Sequence, residues 1–211
     1  MIARRDNLVL SVMMILVAAT AGCSVTRPSL ERHSFTLQAE RPDQAGPAGN
    51  PTSFPATLKL GRIGVQPPYG GSSFIYRTGE LRYEVDPYNS FVASPGDLLG
   101  HQIAQWLSRA GLFAAVRAPE SPLTGDYVLE GVATALYGDV RDLQSPTAVV
   151  SLQLDMRQAD TEGRVVFERA YSQRVAIENA SPEALAHGYG LALGRILDAL
   201  ERDLAALPLA R

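Results

Sequence analysis

Cysteine and lysine are almost absent from this chain of 211 residues, since Cys23 is the only cysteine and Lys59 the only lysine. A single thiol cannot form an intramolecular disulfide, so a fold held together by disulfide bonds is excluded. All the other basic side chains, apart from histidine, are arginines. Arginine makes planar, bidentate contacts better than lysine does, but a GC-rich genome produces the same bias. The excess of arginine alone therefore does not identify a binding function.

The residue groups that support catalysis are also missing from the sequence. No Gly-x-Ser-x-Gly motif marks a nucleophilic serine, and Asp139 and Asp142 flank Arg141 in a manner typical of a solvated turn. The histidines are scattered, without the i, i+4 pairing or the convergent partners that a metal site needs: His33, His101 and His187. We therefore expect no catalytic residues, no metal site and no cofactor, and we do not expect an enzyme.

The glycines of Gly188–Gly194 superficially resemble a dinucleotide-binding fingerprint. Their spacing is one residue too long, and they lie inside a predicted helix that does not follow a strand directly. Gly190 and Gly194, four residues apart, instead predict a groove in which a neighbouring element packs closely.

A basic N-terminus precedes the one long apolar run of the chain. Arg4 and Arg5 come first, Leu8–Ala19 is apolar, and Ala21 and Gly22 are small. This is the architecture of a secretory signal, and it is too short for a membrane span of about 20 apolar residues with proper flanks.

Cys23 lies where such a signal would be cleaved, and Ala-Gly-Cys resembles a bacterial lipobox, in which the cysteine is lipidated and becomes the first mature residue. Thr20 departs from this pattern, which usually has leucine there. Ser24, rather than aspartate, follows the cysteine, and by resemblance to bacterial sorting signals this indicates the outer membrane. We expect a signal peptide over 1–22 and an acyl chain such as palmitate on Cys23. The alternative is an ordinary buried cysteine behind a signal that is not lipidated.

The formal charge of the whole chain is −3. Cleavage before Cys23 would remove Arg4, Arg5 and Asp6, so the mature chain would be more acidic by one unit. A protein that neutralises phosphates needs a basic face, so we do not expect nucleic acid as a partner.

Residues 23–53 combine many prolines and glycines with little apolar periodicity, although Ser34–Leu37 could form a short strand. Such a segment buries too little surface to offset its chain entropy. We predict that 23–53 is a lipidated, flexible tether and that 54–211 is the folded domain.

The folded domain is organised around a predicted β-hairpin over Phe74–Val85, in which β-favouring residues flank Thr78-Gly79 and Gly79 could supply a positive φ. The surrounding region is dense in aromatic residues: Tyr69, Phe74, Tyr76, Tyr83, Tyr88 and Phe91. Arg77 and Arg82 lie among them. Such a hairpin is either a core element or a contact surface.

Two helices and further strands follow from periodicity and capping signals. Ser94-Pro95 and Ser181-Pro182 are typical of helix starts, and Gly111 of a helix end. Alternation predicts strands near 56–65, 112–116, 127–137, 148–157 and 164–177. The prediction is an α+β fold of order β-β-β-α-β-β-β-β-α, with a mixed, largely antiparallel sheet packed against two amphipathic helices.

At the hairpin the chain resembles the ABC-type transport auxiliary lipoproteins, the PqiC-like family. The matching segments are Phe74–Arg77, Leu81–Val85, Tyr88–Pro95 and Gly111–Val116, with Phe91 where that family usually has tryptophan. The resemblance implies a periplasmic lipoprotein anchored in the outer membrane. It implies a non-catalytic role in an MCE/ABC-type lipid transport system, docked on a periplasm-spanning MCE-domain protein with its inner-membrane permease and ATPase.

Aromatic and arginine side chains are enriched in the cores of interfaces, so we predict that the hairpin region contacts the partner through Tyr76, Arg77, Arg82, Tyr83, Tyr88 and Phe91. The competing interpretation is that its aromatic residues fill the core. Two other functions stay open: a periplasmic lipid-binding carrier, with phospholipid held between sheet and last helix, and an assembly lipoprotein of another envelope export machine. Homo-oligomerisation also stays open.

Overall fold

The structure is a computed structural model, and it describes residues 31–40, 54–160 and 162–209. The strands are β1 (His33–Phe35), β2 (Phe54–Val65), β3 (Ser73–Arg77), β4 (Tyr83–Phe91), β5 (Phe113–Arg117), β6 (Tyr127–Asp139), β7 (Thr147–Gln158) and β8 (Val165–Ala176). The helices are α1 (Pro95–Ala110) and α2 (Pro182–Ala205). This confirms the predicted α+β class and element order, with β1 added at the front. Neither helix is long and apolar enough to cross a membrane.

All eight strands form one mixed sheet, in which β6 is the central strand. One side of β6 pairs with β7, which pairs with β8. The other side pairs in parallel with β2 along its first half and with β3 at its end. Beyond these, β5 lies parallel to β2, β4 pairs antiparallel with β3, and β1 lies parallel to β4. The two longest ladders, β6–β7 and β7–β8, are antiparallel.

Both helices begin where the capping signals predict, and α1 also ends at the predicted residue. The hydroxyl oxygen of Ser94 accepts from the backbone N–H of Asp97, and that of Ser181 accepts from the N–H of Ala184. Gly111 closes α1 with a φ of 68°, a left-handed conformation that glycine adopts without steric cost.

The helices cover one face of the sheet, which we call the helix face. The predicted apolar stripe of each helix is buried: Leu99, Ile103, Trp106, Leu107 and Ala110 in α1, and Leu185, Tyr189, Ala192, Ile196, Leu200 and Leu204 in α2. Opposite them, every second residue of β7 from Ala148 to Met156 is buried. The residues between, such as the exposed Gln153, lie on the opposite face, which we call the open face.

Part of the predicted tether belongs to the fold, so the prediction for that part is corrected. Strand β1 pairs with β4, Leu37 is buried, and the backbone N–H of Glu40 donates to the carbonyl of Gly190 at 3.2 Å. A Cβ on Gly190 would overlap the carbonyl oxygen of Gln38. The predicted glycine groove of α2 is therefore occupied by residues 38–40. We call residues 33–40 the strap; the remainder of 23–53 lies outside the described residues.

The central hairpin is confirmed, but its turn differs from the prediction. Ile75, Tyr76 and Arg77 pair with Val85, Glu84 and Tyr83. The N–H groups of Thr78 and Gly79 both donate to the carbonyl of Arg82, so the reversal extends over residues 78–82. Because five residues share the reversal, Gly79 does not adopt the positive φ that the prediction assigned to it.

Candidate docking surface on the open face of the sheet

The predicted contact residues of the hairpin lie on both faces of the sheet. Because side chains alternate along a strand, Tyr76 lies on the helix face, where a Cβ on Gly138 would lie within 3.2 Å of side-chain atoms of Tyr76 and Leu185. Arg77 and its cross-strand partner Tyr83 lie on the open face. The hairpin is therefore a core element on one face and a candidate contact surface on the other.

Phe91 is a core residue, with 5% of its surface exposed. Its ring lies 4.8 Å from that of Phe74 and 5.9 Å from that of Tyr189, measured between centroids. Its side chain is not available to a partner, so the prediction that it forms part of the contact surface is corrected. The reason is that β4 ends against α2, where the Phe91 ring packs on Tyr189.

Tyr76 is half-buried beside the start of α2. Burial raises its pKa, as do the charge of Asp86 and the hydrogen bond that Asp86 accepts. Asp86 also accepts from the backbone N–H groups of Tyr88 and Asn89, both at 2.9 Å, and so fixes a bulge in β4. This bulge leaves Tyr88 39% exposed.

Three tyrosine rings form a packed group on the open face. Tyr69 stacks on Tyr137 with centroids 5.6 Å apart and planes at 17°. Tyr83 meets both rings edge-on, at 6.1 Å from Tyr69 and 5.6 Å from Tyr137. The guanidinium carbon of Arg77 lies 5.8 Å from the Tyr83 centroid, within the range of a cation–π contact. Burial raises the pKa of Tyr69, and a hydrogen bond with Tyr83 raises it further.

Asp139 joins this group to two more arginines. Its carboxylate accepts from Nε and Nη2 of Arg141, both at 2.8 Å, and from Nη1 and Nη2 of Arg174 at 3.1 and 3.2 Å. The hydrogen bonds from Arg141 lower the pKa of Asp139 well below its usual range, against the opposing effect of burial, and those from Arg174 lower it further. Asp139 is 6% exposed, so the pair is anchored from inside the fold.

We call these residues the arginine–tyrosine cluster: Arg77, Arg141, Arg174, Tyr69, Tyr83, Tyr137 and Asp139. Asp139 neutralises one of the three guanidinium charges. Among the described residues, Arg77 donates only to the backbone carbonyls of Gly79 and Glu80. The side chains of Arg141 and Arg174 are 42% and 48% exposed. The cluster thus presents the charged donors of its arginines, a residue type enriched in interface hot spots, above tyrosine rings of which those of Tyr69 and Tyr137 are buried.

Arg82 stands apart from this cluster. Its Nε donates to the hydroxyl of Thr78 at 2.9 Å and lies 3.6 Å from a carboxylate oxygen of Glu84. Its side chain is 70% exposed. Among the described residues it contacts Thr78 and Glu84 of its own hairpin, whereas Arg77 and Tyr83 join the larger group.

Sequence reasoning missed five members of the cluster. Tyr69 lies in a turn after β2, where no periodic pattern indicates that its ring is buried. Asp139, expected in a solvated turn with Arg141, is instead the last residue of β6 and is buried. Tyr137 and Arg174 meet because Val149 lies between them in the β6–β7–β8 register. The local signal that was present is the Asp-x-Arg spacing directly after a strand.

Two further predictions concern other parts of the chain. Cys23, the predicted lipidation site, lies outside the described residues. Within the described ranges, no group of three or more His, Cys, Asp or Glu side chains is placed to hold a metal ion. His187 instead lies with its Nε2 3.1 Å from a carboxylate oxygen of Glu40 in the strap.

A groove of about 420 Å³ lies at the start of α1, on the opposite side of β6 from β7 and β8. It is lined by Lys59, Leu60, Gly61, Arg62, Ile63, Gly96, Asp97, Pro119 and Glu120. Lys59 is already bonded to three backbone carbonyls there. The groove does not lie between the sheet and α2, where a carrier was expected to hold lipid.

No protein-family model matches this chain, and no curated protein matches it either. Solved structures do match. Protein XCC0632 from Xanthomonas campestris, described with the family model DUF330, aligns with a TM-score of 0.65 and 17% identity over 82% of this chain and 94% of that one. The chain shares the fold of that protein.

A second solved structure, described only as an uncharacterized protein, aligns with a TM-score of 0.61 and 13% identity over 80% of this chain and 99% of that one. Lipoprotein GNA1162 from Neisseria meningitidis aligns with a TM-score of 0.38 and 13% identity over 72% and 99% of the two chains. At these identities the first two structures establish the fold alone, and the third supports no argument about function.

Proposed function

We propose that this protein is an outer-membrane-anchored periplasmic lipoprotein and a non-catalytic auxiliary component of an MCE/ABC-type lipid transport system. It docks on the MCE-domain partner through the arginine–tyrosine cluster. The lipobox-like sequence ending at Cys23 and the resemblance of the hairpin to the ABC-type transport auxiliary lipoproteins support this proposal. The fold shared with the DUF330 protein is compatible with it.

The single observation on which the docking role depends is the arrangement on the open face. The guanidinium groups of Arg141 and Arg174 are fixed by the buried carboxylate of Asp139 and remain about half-exposed beside three packed tyrosine rings. A fixed guanidinium loses little conformational entropy when it binds a carboxylate. The cluster therefore suits a protein surface that offers acidic and apolar groups.

The lipid-carrier alternative has no comparable observation in its favour. At the sheet–α2 interface, a Cβ on Gly188 would lie within 2.7 Å of side-chain atoms of Ile177 and Ala148. Leu185 packs on Gly138 in the same layer. The space between these elements is filled by side chains of the protein itself.

Site-specific photo-crosslinking in the native envelope tests the docking proposal. A photoreactive residue replaces Arg174 on the open face, and a matched substitution replaces Arg202, which is 72% exposed on α2. We expect capture of an MCE-domain protein from position 174 and not from position 202. Equal capture from both positions, or capture from 202 alone, would contradict docking through the cluster.

A further inference from the structure

The direction of β1 shows how the chain runs in the first described strand. β1 lies parallel to β4, with His33 beside Asn89 and Phe35 beside Phe91. β4 runs away from the hairpin turn at 78–82. At Arg32 and His33 the chain therefore runs away from the end of the sheet that contains this turn, which we call the turn end.

The length of chain before β1 is short. Cys23 precedes His33 by ten residues, which span at most about 35 Å when fully extended. Leu81 in the turn precedes Asn89 by eight residues, which correspond to at most about 27 Å of strand. The ten residues between Cys23 and His33 are therefore long enough to reach from β1 to a membrane at the hairpin turn. Residues 33–40 do not add to this reach, because they are part of the fold.

The turn end exposes large apolar side chains. Leu81 is 93% exposed, and Leu143, in the loop between β6 and β7, is 69% exposed. The N–H of Val140 donates to the carbonyl of Arg77 at 3.0 Å, which joins that loop to the hairpin. Val92, Leu123 and Val165, near the opposite end, are less exposed, at 58%, 54% and 54%.

The charges of the turn do not oppose contact with lipid. Arg77 and Arg82 are matched in number by Glu80 and Glu84, so the turn has no net charge. Apolar side chains flanked by arginines, whose aliphatic stems can lie along a lipid interface, suit the boundary between water and acyl chains.

We propose that the turn end of the sheet rests on the membrane that holds Cys23, with Leu81 and Leu143 in the phospholipid interface. This proposal rests on the lipid anchor of the proposed function. The proposal specifies the orientation of the fold on the membrane. The carboxyl end of β6 faces the bilayer, and the arginine–tyrosine cluster, on the open face, lies close to the membrane surface.

Lipid-borne quenching of a fluorophore tests this orientation in the full lipidated chain. Because Cys23 is the only cysteine and its thiol is consumed by lipidation, a cysteine at another position can be labelled alone. Leu81→Cys and Leu143→Cys report on the turn end. Leu123→Cys, in the loop before β6 at the opposite end, is the matched control. The protein is reconstituted in vesicles of phosphatidylethanolamine and phosphatidylglycerol that contain lipids with spin-labelled acyl chains.

We expect the labels at 81 and 143 to be quenched several-fold more strongly than the label at 123, with little effect of added salt. Equal quenching at all three positions, or none at 81 and 143 while the protein floats with the vesicles, would overturn the orientation and leave the anchor intact. Failure to float would overturn the anchor and, with it, this proposal. If lipid does not change the fluorescence of the label at 81 but an added MCE-domain protein does, the turn end binds protein instead of lipid.

Discussion

The backbone of Gly194 in α2 lies directly against the carbonyl oxygen of Glu40 in the strap. A Cβ at position 194 would overlap that oxygen, and a Cβ at Gly190 would overlap the carbonyl oxygen of Gln38. Since the obstructing atoms belong to the backbone, no side-chain rotation can make room. The two glycines of α2 therefore allow residues 38–40 to pack on the helix.

Gly194→Ala should destabilise the protein and release the strap. Alanine is about 1 kcal/mol better than glycine inside a helix, but we expect the overlap with Glu40 to cost more, for a net loss of about 1–2 kcal/mol. Urea unfolding measures the loss, and faster proteolysis within 33–40 reports release of the strap. Gly71→Ala is the control, since a Cβ there would meet nothing within 4 Å. A Gly194→Ala variant as stable as Gly71→Ala would contradict the packing.

We expect that the stability of the fold depends on lysine at position 59 and that arginine cannot replace it. Its ammonium group donates to the carbonyl oxygens of Ala118, Pro119 and Ser121 at 2.8, 2.9 and 2.5 Å. A compact group with three donors suits three converging acceptors, whereas the planar guanidinium of arginine does not.

Lys59→Met and Lys59→Arg should each lower the free energy of unfolding by about 1–2 kcal/mol. The neighbouring Arg62→Met, a change at an exposed position, should alter it by less than about 0.5 kcal/mol. Amine-reactive labelling of the folded wild-type protein should be slow at Lys59. Rapid labelling, or a fully stable Lys59→Arg variant, would argue against this role.

Asp139 should give the protein a pH-dependent stability. Its folded-state pKa is lowered by Arg141 and Arg174, so its contribution is fully present above the unfolded pKa of about 3.9 and is lost as the pH falls toward the folded pKa. Asp139→Asn should therefore cost about 1–3 kcal/mol at pH 7, and the difference from wild type should shrink below about pH 4.

Thermal or urea unfolding between pH 7 and pH 3 measures this difference. Asp142→Asn is the control, because Asp142 is exposed and accepts from the N–H of Gln144 in its own loop. A difference between wild type and Asp139→Asn that stays constant down to pH 3 would show that the ion pairs do not depend on ionised Asp139.

Replacing Tyr189 and Tyr171 with phenylalanine should affect the stability of the protein differently. The hydroxyl of Tyr189 is buried and has no hydrogen-bond partner among the described residues, whereas that of Tyr171 donates to Asp203 at 2.7 Å. Tyr189→Phe should leave stability unchanged or raise it slightly, and Tyr171→Phe should lower it by about 1 kcal/mol. Calorimetric melting of both variants checks this, and a larger loss for Tyr189→Phe would show that its hydroxyl is satisfied in solution.

Local signals were sufficient for the helices and most strands. Ser94-Pro95, Gly111 and Ser181-Pro182 define helix ends through contacts within a few residues, so the sequence identifies them directly. The alternation of β7 likewise shows which of its side chains pack. These features depend on neighbours in the chain.

The strap and the arginine–tyrosine cluster depend on distant neighbours. For the strap, the sequence indicated a possible short strand at Ser34–Leu37 and a groove at Gly190 and Gly194, but not that the two meet. Residues 33–40 contain few large apolar side chains. Residues 38–40 pack with their backbone against Gly190 and Gly194, which are about 150 residues further along the chain. Asp139 is buried because Arg174, two strands away in the register, supplies a second guanidinium. Such pairings require the sheet register, which periodicity alone does not give.

The docking role and the membrane-facing orientation both depend on lipidation of Cys23, and the intact mass of the protein extracted from the envelope tests this directly. The account predicts a chain of 189 residues that begins at Cys23, since 22 of the 211 residues are removed, with covalently attached acyl chains that are absent from Cys23→Ser. An unmodified chain, or one cleaved elsewhere with a free Cys23 thiol, would contradict it.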